Sequence, residues 1–137
     1  MVPFEQYHEP ASELPEETRT FARICTSLIE EAEAIGWYEQ RLSVEPDSVA
    51  RAIMEDAQGE EFKHFSMDLE FLLRRTPKWR EIAEGVLFQE GDIVEHGEEA
   101  EAEANDENGG DPGPAAASAP PRRDGSLGIG SLKGEGL

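Results

Sequence analysis

Glu61 and His64 stand three residues apart in the run Glu60-Glu61-Phe62-Lys63-His64. On a helix that spacing puts a carboxylate and an imidazole on one face, within reach of a single cation. The same Glu-x-x-His pattern recurs at Glu5 and His8, close to Pro10, so the pattern alone is weak. Placement separates the two pairs. Glu61 and His64 interrupt an apolar row made by Ile53, Met54, Ala57, Phe65, Met67, Phe71 and Leu72. Glu31 likewise sits where an apolar residue belongs, in the row Phe21, Ile24, Leu28, Glu31, Ile35, Tyr38 and Leu42, whose steps of three and four keep side chains on one stripe. An inward carboxylate without a partner costs several kcal/mol or takes up a proton, and metal coordination removes that conflict. The plain alternative is that Glu31 and Glu61 lie on solvated flanks and pair with Arg51, Lys63 or Arg74.

The elements that must carry these residues are legible in the punctuation. From about Ser12 to Leu42 no glycine intervenes before Gly36, and Pro15 is tolerated in a first turn, so one long helix is expected. Ser43-Val44-Glu45-Pro46 breaks it, Asp47 is a good N-cap, and a second helix should run to about Arg75, before Thr76-Pro77. So short a connection makes the two antiparallel neighbours. Lys78 to Phe88 predicts a shorter third helix, and a looser helical stretch can resume after Gly91. The fold class is therefore all-α, with residues 1–97 as the helical domain. Residues 98–124 are expected to be an acidic and Pro/Gly/Ala-rich linker, while 125–137 regain spaced apolar side chains at Leu127, Ile129 and Leu132.

Composition narrows the partners. The 31 acidic and 12 basic residues give a formal charge of -19, which disfavours nucleic acid and anionic membrane and favours cations. No apolar run approaches the roughly 20 residues of a membrane span. Met1-Val2-Pro3-Phe4-Glu5 lacks the features of a secretory signal, and Cys25 has no second cysteine to pair with, so a reducing cytoplasm is expected. Cys25 itself reads as a small hydrophobe, and neither His8 nor His96 is given a role.

The ligand count bears on assembly. A carboxylate-bridged di-iron bundle takes a Glu from each of two helices and Glu-x-x-His from each of the other two. This chain holds half of that set, so two copies would supply four carboxylates and two imidazoles and balance two ferrous ions. The expected architecture is thus a two-helix hairpin with a shorter C-terminal helix, half of a ferritin-like four-helix bundle completed by dimerisation. Carboxylate oxygen with some imidazole suits iron or manganese better than structural zinc.

The blocks Glu30-Glu31-Ala32-Glu33-Ala34-Ile35-Gly36-Trp37-Tyr38-Glu39-Gln40-Arg41, then Glu60-Glu61-Phe62-Lys63-His64 and Leu72-Leu73-Arg74-Arg75, resemble the encapsulated ferritins, cargo proteins of bacterial encapsulin nanocompartments. The resemblance spans about Glu9 to Phe88. It implies a ferroxidase that oxidises Fe(II) to Fe(III) for iron storage and detoxification, at a centre where Fe(2+)/Fe(3+), two ions per dimer, are shared across the interface. It implies Glu31, Glu61 and His64 as ligands, with Tyr38 near the centre. Glu30, Glu33 and Trp37 match an uptake or secondary metal position. Gly36 departs from the acidic residue expected there in some relatives. The homodimers would assemble into a ring, and Gly125 to Lys133 resembles the peptides that dock cargo on an encapsulin shell, which places the protein inside a cytoplasmic nanocompartment. Other classes compatible with the residues are a non-catalytic helical cargo or adaptor protein and a related di-metal peroxidase.

Overall fold

The computed structural model describes residues 6–109. Among them there is no strand; a 3-10 turn at Ala11–Glu13 precedes four α-helices, α1 (Glu16–Val44), α2 (Ser48–Arg75), α3 (Pro77–Val86) and α4 (Ile93–Gly109). The expected all-α class holds. No helix among the described residues is long and apolar enough to cross a membrane.

The first helix starts later than Ser12. A residue before proline is pushed out of the helical region, and Leu14 is accordingly extended, with φ -95° and ψ 135°. The Ser12 segment can therefore form only the short 3-10 turn. Asp47 caps α2 as expected, its Oδ1 accepting from the N–H groups of Val49 and Ala50 at 2.9 Å each. Thr76-Pro77 ends α2 and starts α3, with the proline in the first turn, where no N–H is needed.

The described residues divide into two compact units. The first holds residues 6–8 and Thr20–Leu72, hence nearly all of α1 and α2. Its helices are antiparallel. Gln58 reaches the carbonyl of Ile35 and Arg51 reaches that of Leu42, so partners rise in number along α1 as they fall along α2. Phe21, Ala22, Leu42 and Leu72 are buried, and Ile24, Leu28, Ile35, Met54, Ala57 and Phe65 are half-buried.

One expectation about α2 needs correction. Ile53 and Met67, expected on its inner row, are 65% and 58% exposed. The inner row instead runs Met54, Gln58, Glu61, Phe65, Asp68 and Leu72, again in alternating steps of four and three. Apolarity misled here because Gln58 and Asp68 are polar residues on the packed side.

The second unit holds Glu9–Arg19 and the described residues from Leu73 on. Within it α3 packs on α4. Ala100 and Ala104 are buried, and a Cβ built on Gly85 would lie 2.6 Å from the Ala100 Cβ, so the helices cross on small residues. This packing carries helix through the start of the segment expected to be linker from residue 98: α4 continues to Gly109. Before α4 the chain turns at Gly91, with φ 103°, a left-handed conformation that glycine adopts freely. Asp92 Oδ1 then accepts from Glu95 N–H at 2.9 Å, and His96 Nε2 lies 2.7 Å from the Glu90 carbonyl. The rest of the segment expected to be linker, 110–124, and the segment 125–137 lie outside the described residues.

Candidate metal centre

Glu31 projects from the middle of α1 and Glu61 and His64 from the middle of α2, and one ligand atom from each lies within 4.8 Å of the others. Donors bound to one cation at about 2.0–2.6 Å stand roughly 4–5 Å apart when on opposite sides of it, so this spacing matches that of a shared ion. The hairpin makes the meeting possible. Glu31 comes one turn before Ile35 and Glu61 almost one turn after Gln58, and Gln58 ties those turns together by donating from Nε2 to the Ile35 carbonyl at 3.2 Å and to Glu39 Oε1 at 3.0 Å. Gln58 is only 7% exposed, so these bonds satisfy an amide that water does not reach.

The electrostatics are those of a site short of positive charge. Glu31 is pushed up to about 7, first by burial, then by the neighbouring Asp68 carboxyl and by the charges of Glu61 and Glu30. Glu31 Oε1 and Asp68 Oδ2 are both shut off from solvent without a hydrogen-bond partner. A carboxylate oxygen in that state is suited to a cation. The imidazole of His64 lies between two carboxylates, with Nδ1 3.7 Å from Glu61 Oε1 and Nε2 3.9 Å from Glu60 Oε1. Lys63, 2.8 Å from Glu60, holds that carboxyl below its ordinary range and engages Glu60. Arg51 pairs with Glu55 at 3.5 Å. These two cations therefore serve neighbouring carboxylates, unlike the flank pairing that was the plain alternative.

The cluster is not sealed in one chain: the Glu61 and His64 side chains are 26% and 43% exposed. Tyr38, two turns beyond Glu31 on the same stripe, is half-buried and carries the Arg41 guanidinium 5.2 Å from its ring centre. Glu30 is exposed and its charge reaches Glu31. Glu33 and Trp37 sit one turn apart on the exposed side of α1, outside the Glu31, Glu61 and His64 group. Gly36 has open space at its Cβ position, so packing does not demand a glycine there.

Sequence reasoning missed Asp68 and Gln58. The signal for Asp68 was its position four residues after His64 and seven after Glu61, which returns to the same helical face. That for Gln58 was its step of three before Glu61.

Comparison with known proteins converges on one group. The EncFtn-like family model matches residues 6–90. An encapsulated ferritin-like protein of Rhodospirillum rubrum is 44% identical over 128 residues, covering 93% of this chain and 88% of that protein. A ferritin-like protein of Thermotoga maritima is 42% identical over 109 residues, covering 80% of this chain and 95% of that one. The crystal structure of protein ne0167 from Nitrosomonas europaea superposes with a TM-score of 0.63 at 36% identity, over 66% of this chain and 99% of that chain.

Proposed function

The chain belongs to the EncFtn-like family, and on that premise we propose that it is a ferroxidase whose centre is completed by a second copy of the chain. The observation that carries this is the convergence of Glu31, Glu61 and His64, two carboxylates and an imidazole from two helices, within 4.8 Å. One chain offers half the donors of a di-iron carboxylate site, and the open side of Glu61 and His64 is where a second copy brings its own set.

Fe(II) is the substrate. The acidic surface, including Glu30, Glu33 and the neighbouring Trp37, gathers it, and the Glu31, Glu61 and His64 sets of both chains bind two ions. The four carboxylates balance the charge of two ferrous ions, which offsets the burial and the repulsion that raise Glu31. Each Fe(II) gives up one electron, and the pair's two electrons pass to dioxygen or peroxide. The ferric products carry two more positive charges than the site balances, which favours their departure toward a mineral. The protein's share is to bind, to hold the ions together and to tune their charge; Tyr38, near the centre, helps order the surrounding hydrogen bonds.

An open hairpin dimer, or a ring of such dimers, does not enclose a mineral. That gives a surrounding encapsulin shell its purpose and the Gly125 to Lys133 segment its role as a docking peptide, with Leu127, Ile129 and Leu132 filling shallow pockets. Several tails on one ring would bind with avidity.

Aerobic addition of Fe(II) to wild-type protein and to His64→Ala, followed optically and by native mass spectrometry, tests the proposal. Rapid oxidation with about two irons per dimer, lost in the variant, is expected. Equal rates in both, with no metal-dependent dimer, would leave a helical cargo or adaptor protein.

A further inference from the structure

The row by which α4 packs on α3 runs Ile93, Gly97, Ala100 and Ala104, in steps of four and three. Ala100 and Ala104 are buried, Ala100 lies against Gly85, and Val86 Cγ2 is 4.0 Å from where a Cβ on Gly97 would stand. Positions therefore rise along α3 as they fall along α4, and α3 ends at Val86, opposite Gly97 and one turn short of Ile93. Ile93 is left 70% exposed at the head of its row, with Val94 exposed beside it. The chain leaving α3 adds two more exposed apolar side chains, Leu87 and the fully exposed Phe88. Phe88 has φ 63°, a left-handed conformation that disfavours a residue with a Cβ. Hydrogen bonds brace it on both sides: Leu87 N–H donates to the Ala83 carbonyl at 2.8 Å, and Gln89 Nε2 to the Glu84 carbonyl at 3.2 Å. The turn thus holds an aromatic ring outward, at the end of the helix pair where the inner row of α4 is also bare.

A segment that covers this elbow needs spaced apolar side chains and, because Glu90, Asp92 and Glu95 are exposed along it, positive charge. The chain itself carries one. No lysine or arginine stands between Arg80 and Arg122, yet Arg122, Arg123 and Lys133 bracket Leu127, Ile129 and Leu132. Reach agrees with composition. The 17 residues of α4 span about 25 Å from Gly109 back to Ile93, and a flexible segment as long as 110–126 has its ends roughly 20–25 Å apart.

We propose that residues 122–133 fold back on the α3–α4 elbow of their own chain, with Leu127, Ile129 and Leu132 covering Leu87, Phe88 and Ile93 while Arg122, Arg123 and Lys133 meet the acidic rim. This inference rests on neither iron chemistry nor a shell, so it stands or falls apart from the proposed function. An internal contact occupied about nine-tenths of the time weakens every outside partner of the segment about ten-fold, so the elbow sets how readily the segment is given up.

The test places a bimane fluorophore on the full chain at Ser131→Cys in a Cys25→Ala background. A contact quencher is set on the elbow by Phe88→Trp or, separately, by Ile93→Trp, and each chain is checked for helix content and melting. Either tryptophan should cut the bimane emission to about half or less of that with the native elbow, unchanged on dilution, because a tethered segment meets its site at a high effective concentration. Changing Leu127, Ile129 and Leu132 together to Ser should restore the emission, and raised salt should restore part of it, since screening weakens the charge contacts. Equal emission with and without either tryptophan overturns the proposal. Quenching that survives the three serines overturns it too, and leaves only crowding by the linker. Emission that salt does not move strikes Arg122, Arg123 and Lys133 from the contact. Quenching seen only when labelled chains with the native elbow are mixed with unlabelled chains carrying Phe88→Trp gives the elbow to a second copy and overturns the internal contact.

Discussion

Gln58 of α2 donates to the carbonyl of Ile35 on α1 at 3.2 Å, and this bond fixes the helical register in which Glu31 meets Glu61. The same nitrogen also reaches Glu39 at 3.0 Å. Replacing Gln58 with Leu leaves Ile35 with its intrahelical bond but deprives Glu39 of a partner and frees the register. We expect a loss of about 1–2 kcal/mol, read as a lower urea midpoint at unchanged slope, together with weaker Co(II) binding. An unchanged midpoint and affinity would show that apolar packing alone sets the register.

The metal-free protein should lose stability as pH rises from about 4.5 to about 7, through Glu31. In the folded chain this carboxyl keeps its proton up to about 7, whereas in the unfolded chain it releases it near the model value of 4.5. Between those values the native state binds more protons, so its advantage is complete below the lower value and disappears as pH passes the upper one. Glu31→Gln removes this slope. Urea midpoints of both proteins across that window check it; parallel curves would mean that Glu31 ionises freely.

If the proposed dimer forms, chelation should shift it toward single chains and added Co(II) should restore it, because ions that bind only an assembled site stabilise it by mass action. Sedimentation velocity with and without chelator reads this directly. Identical distributions would place the dimer's stability in apolar contacts instead.

Gly85→Ala should destabilise the α3–α4 packing by about 1–3 kcal/mol, since the new methyl would fall 2.6 Å from the Ala100 Cβ. Adding Ala100→Gly removes the collision and recovers part of the loss, less about 1 kcal/mol for a glycine inside a helix. Thermal melts of the single and double variants test the pair. Failure of the second change to help would mean that α4 shifts away at little cost.

Much of this was written in local chemistry. Asp47 announces the start of α2 because its carboxylate matches the free N–H groups there, and Thr76-Pro77 announces the end because proline cannot continue the ladder. Glu31, Glu61 and His64 stood out because charge on an apolar row is costly. What stayed hidden depended on contacts between helices. Gln58 and Asp68 look like surface residues until their partners Ile35 and Glu31 are known, and their presence turns Ile53 and Met67 outward. The helical character of 98–109 was masked by acidity, because Ala100 and Ala104 are small and reveal their burial only against α3.

The Glu45-Pro46-Asp47 connection has a kinetic consequence. Glu31, Glu61, His64 and Asp68 all belong to the hairpin that it closes, so their meeting requires only a short loop to form. Topologies dominated by such local contacts fold fast. Glu31, Glu61 and His64 should thus be brought together early on the folding route, before α4 has been needed.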